Sequence, residues 1–476
     1  MTGPDPSPVI IDAKGRFSFA AREGAEAASG EARFRLHDEY LAVAPQFGEP
    51  LRLPLRDMLE VVGAGHRVEL RLSSDEVLSL SHLGYAYEDF LRLLRRARGE
   101  VLLRDLLMHE NLQKAGVTAA ARLTGPEGGV RLSGRCELRI YDTGLVILPE
   151  SDPPLRIPLG EVEEVRRRDH SLAVVTEDGE TLELSKLGRE LDPFARDLSE
   201  AMGRLGLLAQ ASLHELLPLA DPSVIRRAAR FLRDGKAARR LDVESVSPDL
   251  WAQLEGMLER AGIREEYEFL ASRSLRDRLC IGVKRGLVGG PAGDYVWFLA
   301  PIPCAEGDRE RRVMAMEAGV LGAPGGRATY FFRIGDGTGV AAGEVPAVCG
   351  DAGVDAAIRH LNRALVAVNF RREPIYLPAT RLREPQYLKY HFAVEAIPEL
   401  RRLRRLFVGR VVHRSRSQWR DDVLDLLRFA AAGEEGEQWR RGVGLDGPDE
   451  VFADESAGSR DESAPNLDAS HLKPDE

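Results

Sequence analysis

The chain repeats itself. Residues 50–61 read Pro-Leu-Arg-Leu-Pro-Leu-Arg-Asp-Met-Leu-Glu-Val, and residues 154–165 read Pro-Leu-Arg-Ile-Pro-Leu-Gly-Glu-Val-Glu-Glu-Val, an offset of 104. The same offset pairs Ser29-Gly30 with Ser133-Gly134, Asp38 with Asp142, Pro45 with Pro149 and His66 with His170. It also pairs Leu78, Leu80, Ser81, Leu83 and Gly84 with Leu182, Leu184, Ser185, Leu187 and Gly188. One ungapped register over residues 29–84 means that whatever fold is assigned here must be assigned twice.

Within each copy apolar residues alternate, as in Val68-Glu69-Leu70-Arg71-Leu72 and Thr181-Leu182-Glu183-Leu184, the period of a half-buried strand. Turn residues separate the runs, Ser73-Ser74-Asp75 in one copy and Glu177-Asp178-Gly179 in the other. The period then becomes helical, through Phe90, Leu91, Leu94 and Val101 in copy one and Phe194, Leu198, Met202 and Leu205 in copy two. Each unit is therefore six or seven antiparallel strands closed by one helix.

That order, with an Ile/Leu-Pro-Leu strand, a short strand ending Glu-Val, two longer strands and a Phe-bearing helix, resembles the pleckstrin-homology superfold, including its bacterial members. The resemblance implies a bent antiparallel sheet capped by a helix, used to bind proteins, peptides or lipid headgroups rather than for catalysis. Phosphoinositide binders of that superfold carry Lys and Arg around the first inter-strand loop, where several phosphate charges are met. Taking that loop as His37-Asp38-Glu39 and Tyr141-Asp142-Thr143, both copies carry an acid there. Residues 29–110 hold 11 Lys+Arg and 14 Asp+Glu, and residues 133–218 hold 10 and 17, balances that oppose an anionic membrane. The local exception is Arg166-Arg167-Arg168, which also reads as a solvated turn. A protein partner is expected over a lipid.

From Asp221 to Ser274 the pattern is helical, with Asp221 before Pro222 as a start and Gly262 as a stop, and reads as a connector. Residues 279–334 hold four strand-like runs in two hairpins, and a helix follows over 354–368. An extended piece, Pro374-Ile375-Tyr376-Leu377-Pro378, leads into helices near 385–406 and 417–432. The expected fold class is α+β: an N-terminal segment 1–28, pleckstrin-homology-like units over 29–115 and 116–218, a helical connector 219–275, a basic α+β domain 276–433 and an acidic tail 434–476.

Chemistry is sparse. Cys136, Cys280, Cys304 and Cys349 are widely spaced with no Cys-x-x-Cys, which suits a reducing cytoplasm and opposes a zinc site or a disulfide framework. His66 and His170 match by repeat equivalence and lack a neighbouring ligand at metal spacing, so no metal and no cofactor is expected. Gly286 to Gly293 and Gly335 to Gly339 miss the Gly-Lys-Ser/Thr and Gly-x-Gly-x-x-Gly conditions; the first is a hairpin turn and the second leaves room for a backbone anion site. No run approaches 18 apolar residues, and the start lacks a basic segment followed by an apolar one. His360, His391, His413, Glu317, Glu373, Asp336 and Cys349 form no known catalytic spacing. A catalytic C-terminal domain would require several of them to converge in one deep pocket.

Charge is the remaining signal. Residues 354–428 carry 16 Lys+Arg and 8 Asp+Glu, whereas residues 434–476 carry 4 and 13. The basic candidates are Arg371, Arg372, Arg401, Arg402, Arg404 and Arg405, with Arg166, Arg167 and Arg168 in the second unit. Such a surface meets an acidic protein, nucleic acid or an anionic membrane. The expectation is a cytoplasmic, non-catalytic binding or scaffold protein, its partner and oligomeric state left open. The low hydrophobicity and like charge of the tail favour disorder. A chain of about 40 such residues reaches on the order of 35 Å, far enough to screen the arginines. Removing residues 434–476 is expected to raise affinity for heparin, with a difference that shrinks as salt rises; equal binding at low salt would contradict masking.

Overall fold

This computed structural model describes residues 8–20, 26–104, 111–150, 154–233, 235–284, 294–303, 312–321, 328–334, 351–367 and 370–432. Unit 1 is β1 (Ile11–Ala20), β2 (Glu26–Leu36), β3 (Tyr40–Pro45), β4 (Leu51–Pro54), β5 (Met58–Ala64), β6 (Arg67–Leu72), β7 (Val77–Ser81) and α1 (Tyr87–Leu102). Its sheet runs β4-β3-β2-β1-β7-β6-β5, every pairing antiparallel. The alternation read from sequence is the packing: Val68, Leu70, Leu72, Leu78 and Leu80 point inward and are closed over by Phe90, Leu94 and Val101 of α1. Ala64 pairs Arg67 across Gly65 and His66, both at φ 57°, as a two-residue hairpin turn requires. The His66 ring stands edge-on to Tyr87, 5.3 Å away.

Unit 2 repeats this with β8 (Leu112–Thr124), β9 (Val130–Tyr141), β10 (Gly144–Pro149), β11 (Leu155–Pro158), β12 (Val162–Arg167), β13 (Ser171–Thr176), β14 (Thr181–Ser185) and α2 (Leu191–Leu216), in sheet order β11-β10-β9-β8-β14-β13-β12. The offset of 104 extends further than sequence identity does. Phe17 faces Gly30 in unit 1, and Ala121 faces Gly134 in unit 2. Residues 11–20 and 115–124 share no identical position at that offset, yet both are the first strand. Residues 11–20, which the sequence reading left outside the repeat, are the centre of the unit 1 sheet. The first inter-strand connection accordingly spans 21–25, outside the described residues, and 125–129; Asp38 and Asp142 sit at the second connection instead.

The C-terminal domain is a six-stranded antiparallel sheet, β15 (Ala238–Arg239), β16 (Cys280–Lys284), β17 (Tyr295–Pro303), β18 (Arg312–Val320), β19 (Ala328–Ile334) and β20 (Phe407–Val412), in that order. Helices cover both faces, which is why β17 is buried along nearly its whole length. Val296, Phe298, Ala300 and Ile302 meet the second half of α2 with α3 (Pro222–Ala228), α4 (Arg240–Val246), α5 (Pro248–Arg260), α6 (Arg264–Ala271) and α12 (Arg416–Ala432). Tyr295, Trp297 and Leu299 meet α7 (Asp351–Ala367), α8 (Glu373–Tyr376), α9 (Ala379–Leu382), α10 (Leu388–Ala396) and α11 (Pro398–Leu406). The helices read as a connector therefore share one core with the sheet. The Pro374–Pro378 segment read as extended contains a helical turn, the helix read over 385–406 is broken at Pro398, and β20 replaces the gap after it.

Helix α2 joins two bodies: Phe194, Leu198 and Leu205 lie in unit 2, and Leu213 and Leu216 in the C-terminal core. At 26 residues it spans about 39 Å. The sheet tolerates no added atom at Gly282, where a Cβ would lie 2.4 Å from Trp297 Nε1 and 2.8 Å from the Ala237 backbone. Gly282→Ala should lower stability by about 1–3 kcal/mol in urea unfolding. Gly203→Ala, on an α2 face with nothing within 4 Å, should raise it by about 1 kcal/mol.

Candidate functional site

The nominated arginines are engaged differently from one another. Arg166, Arg167 and Arg168 each pair with a separate exposed acid, Glu164 at 2.6 Å, Asp192 at 2.7 Å and Glu183 at 3.2 Å. Arg372 is buried, its guanidinium 5.5 Å from the Tyr330 ring centre, and Arg371 beside it is half-buried. On α11, Arg404 donates to the carbonyls of Pro374 (3.1 Å) and Ile375 (3.3 Å), and burial holds its pKa below the usual arginine value. Arg401 and Arg405 are exposed and Arg402 is half-buried. Arg372 and Arg404 are thus spent on packing, so the arginine set does not make one continuous surface.

Of the catalytic candidates, Glu317 and His413 come together. His413 Nε2 lies 2.9 Å from Glu317 Oε1, and its Nδ1 lies 3.5 Å from Glu266 Oε1. Thr329 donates to Glu317 Oε2 at 2.6 Å and accepts from Trp419 Nε1 at 2.9 Å, while the Trp419 ring stacks on the imidazole. Burial pulls the His413 pKa down, but Glu317 and Glu266 outweigh it and hold it at about 9. Glu317 is fully buried and the imidazole is covered by indole, so the group clamps β18, β19, α6 and α12 together instead of presenting a reactive atom. His360 lies elsewhere, with a pKa pushed down to about 4 by burial and then by Arg402; Glu373 accepts the Arg372 N–H at 3.0 Å. His391 is buried on α10. Asp336, Cys349 and both glycine loops lie outside the described residues. Among the described residues no group of three or more His, Cys, Asp or Glu is placed to hold a metal, and no helix is long and apolar enough to cross a membrane.

Part of the basic charge of the C-terminal domain is met on unit 2, while the acidic residues 434–476 lie outside the described residues. Arg363 of α7 meets Glu161 at 2.6 Å, Asp178 at 2.9 Å and Glu180 at 3.6 Å on unit 2. Arg359 pairs with Asp178 at 3.1 Å, and Lys236 pairs with Glu177. Burial raises the Glu161 pKa to about 7 against the opposing pull of Arg363. On unit 1, Arg98 donates to the Met58 carbonyl at 2.9 Å and stacks over Phe392 of α10.

The two repeats differ on the outer face of their first three strands. In unit 2 this face carries α1 of unit 1. Arg96 pairs with Glu137 at 3.3 Å, and Glu100 takes Arg139 through both guanidinium nitrogens. Gly99 lets α1 approach Pro154, where a Cβ would sit 3.3 Å from the ring, and Leu103 buries against Tyr141 and Val146. A gap of about 170 Å³ remains beneath the helix. In unit 1 the same face holds an open groove of about 480 Å³. Lys14, Glu31, Ala32, Arg33, Ala44 and Gln46 line it, the counterparts at offset 104 of Thr118, Arg135, Cys136, Glu137, Leu148 and Glu150, which line the covered one. The rim is basic, with Lys14, Arg16, Arg33 and His82 against Glu31. Sequence reading missed this groove because Lys14 and Arg16 lie on the strand that shares no identity with its repeat.

No family model matches the chain, and no curated protein does. Among solved structures it is similar to the Spt16D–Pob3N heterodimer, at 15% identity and a TM-score of 0.14, over 36% of this chain and 85% of that one.

The His413 clamp makes a pH signature. Its pKa is raised above the unfolded value of 6.5, so its stabilisation is complete below pH 6.5 and fades as pH rises through about 9. His413→Ala should cost about 3–5 kcal/mol at pH 6.5 and distinctly less at pH 9.5 in urea unfolding; an equal cost at both would exclude a charged imidazole.

Proposed function

We propose that this chain is a non-catalytic binding or scaffold protein of the cytoplasm, in which tandem pleckstrin-homology-like units recognise protein and the C-terminal domain holds them in place. The observation that supports it is the pair of equivalent outer faces. One is filled by a helix of the same chain, and the other is an open groove with a basic rim. The open face suits a helix with acidic residues and a small residue at the closest approach, the arrangement that Glu100 and Gly99 supply on α1. Several phosphates would demand convergent forked donors, whereas Glu31 stands among the rim cations and Asp12 beside Arg33. Cys136 and Cys280 are free and buried, as suits a reducing compartment.

A photo-crosslinking residue at Ala44 is expected to yield discrete protein adducts in cells that Arg16→Glu removes. Full-length protein should stay unbound in flotation with phosphoinositide vesicles. Firm flotation with no protein adduct from position 44 would replace the protein reading with a lipid one.

A further inference from the structure

The contact that joins the repeats leaves both of its halves unused at the ends of the pair. The outer face of unit 1 is open. On α2, the positions at offset 104 from the docking surface of α1 are Arg196, Glu200, Gly203 and Leu207, in place of Arg92, Arg96, Gly99 and Leu103. They are exposed: nothing lies within 4 Å of a Cβ at Gly203, and Leu207 is 67% accessible where Leu103 is 2%. An apolar side chain bared at the position where its counterpart is buried marks a surface that lacks its cover.

We infer that unit 1 of one copy receives α2 of a second copy, in the way that unit 2 receives α1 within the chain. This rests on the binding reading above and names the partner. Charge complementarity selects it. The internal pair Arg96–Glu137 becomes Glu200 against Arg33, reversed in sign and still attractive. Arg92 and Arg135, which line the same gap, become Arg196 and Glu31, two like charges turned into opposite ones. The remaining pair, Glu100–Arg139, becomes Arg204 against Arg35, a like-charged pair whose repulsion is offset in part by Asp12, which Arg33 and Arg35 share. Gly203 keeps the close approach opposite Pro50, the counterpart of Pro154. Ala42 and Ala44 replace Val146 and Leu148, which leaves room for Leu207 and its neighbour Leu208. Because donor and acceptor are different surfaces, the contact is heterologous and propagates head to tail instead of closing as a twofold dimer. Unit 2 cannot serve as acceptor, since α1 already covers it.

Sedimentation velocity of the full chain from about 1 µM to about 200 µM, which brackets micromolar affinity, should show weight-average mass rising past that of a dimer. Glu200→Arg and Arg33→Glu should each weaken association by about tenfold or more through like-charge contact. An equimolar mixture of the two variants should recover to within about threefold of the parent, because α2 of the Glu200→Arg chain then meets the groove of the Arg33→Glu chain with both signs exchanged, while the reverse contact keeps Glu200 against Arg33. The mixture also excludes misfolding as the cause of either loss. A monomer at every concentration, association indifferent to Glu200→Arg, or association abolished only by removing residues 434–476 would each overturn self-docking. The Ala44 adducts separate the two levels. If Glu200→Arg leaves them unchanged, the groove binds another protein and self-docking fails; if no adduct forms, the binding reading itself fails.

Discussion

Arg139 is the hinge pin of the repeat pair. Its side chain, 12% exposed, is gripped by Glu137 of its own strand and by Glu100 of the other unit's helix, and both carboxylates hold its pKa above the ordinary arginine value against the cost of burial. A guanidinium so placed is stable only with both partners, since an unpaired charge at this depth costs several kcal/mol. It therefore fixes the rotation of α1 on unit 2, and that rotation points Gly99 at Pro154 and Leu103 into the pocket of Tyr141 and Val146. The position of unit 1, and with it the open groove, is set by this contact together with those of Arg98 on Phe392 and of Asp75 with Arg383.

The same logic accounts for part of the odd distribution of charge along the chain. Part of the acidity of unit 2 and of the basicity of the C-terminal helices is spent where Arg363, Arg359 and Lys236 face Glu161, Asp178, Glu180 and Glu177 across their interface. Half-buried pairs of this kind specify orientation more than they add stability. Pairing inside the chain consumes much of the charge that composition alone would assign to a partner, and Arg404 and Arg372 are consumed by packing. The groove on unit 1 is basic on its rim even though the unit as a whole is not, so local geometry and net charge give different answers about what it attracts.

The architecture was legible where a pattern had no competing explanation. Alternation in Val68-Leu70-Leu72, the helical spacing of Phe90 and Leu94, and the offset of 104 led directly to two sheets each closed by a helix. The first strand of each repeat was not legible, because inward positions such as Phe17 and Ala121 need only be apolar and fit their own cores, which leaves no identity to align. Strand β20, Phe407-Val408-Gly409-Arg410-Val411-Val412, was hidden behind an arginine-rich helix, and an edge strand bearing a buried Arg410 breaks the expected alternation. The functional surface was missed for a related reason. It is defined by which copy of an equivalent face is covered, and coverage is a property of packing between units that no local window contains. Glu317 and His413 stand 96 positions apart in sequence, and only the pairing of β18, β19 and β20 brings them together.

One surface relationship is thus used twice, once within the chain and once, by inference, between copies. Engineered cysteines joined by a short bis-maleimide, which spans the length of an arginine–carboxylate pair as a disulfide cannot, test it directly. The pair Arg96→Cys with Glu137→Cys should close within a single chain and leave its mass unchanged on a non-reducing gel. The pair Arg33→Cys with Glu200→Cys should give a ladder extending beyond the dimer. Monomer alone from the second pair, under conditions where the first pair closes, would rule out docking of α2 on unit 1 of another copy.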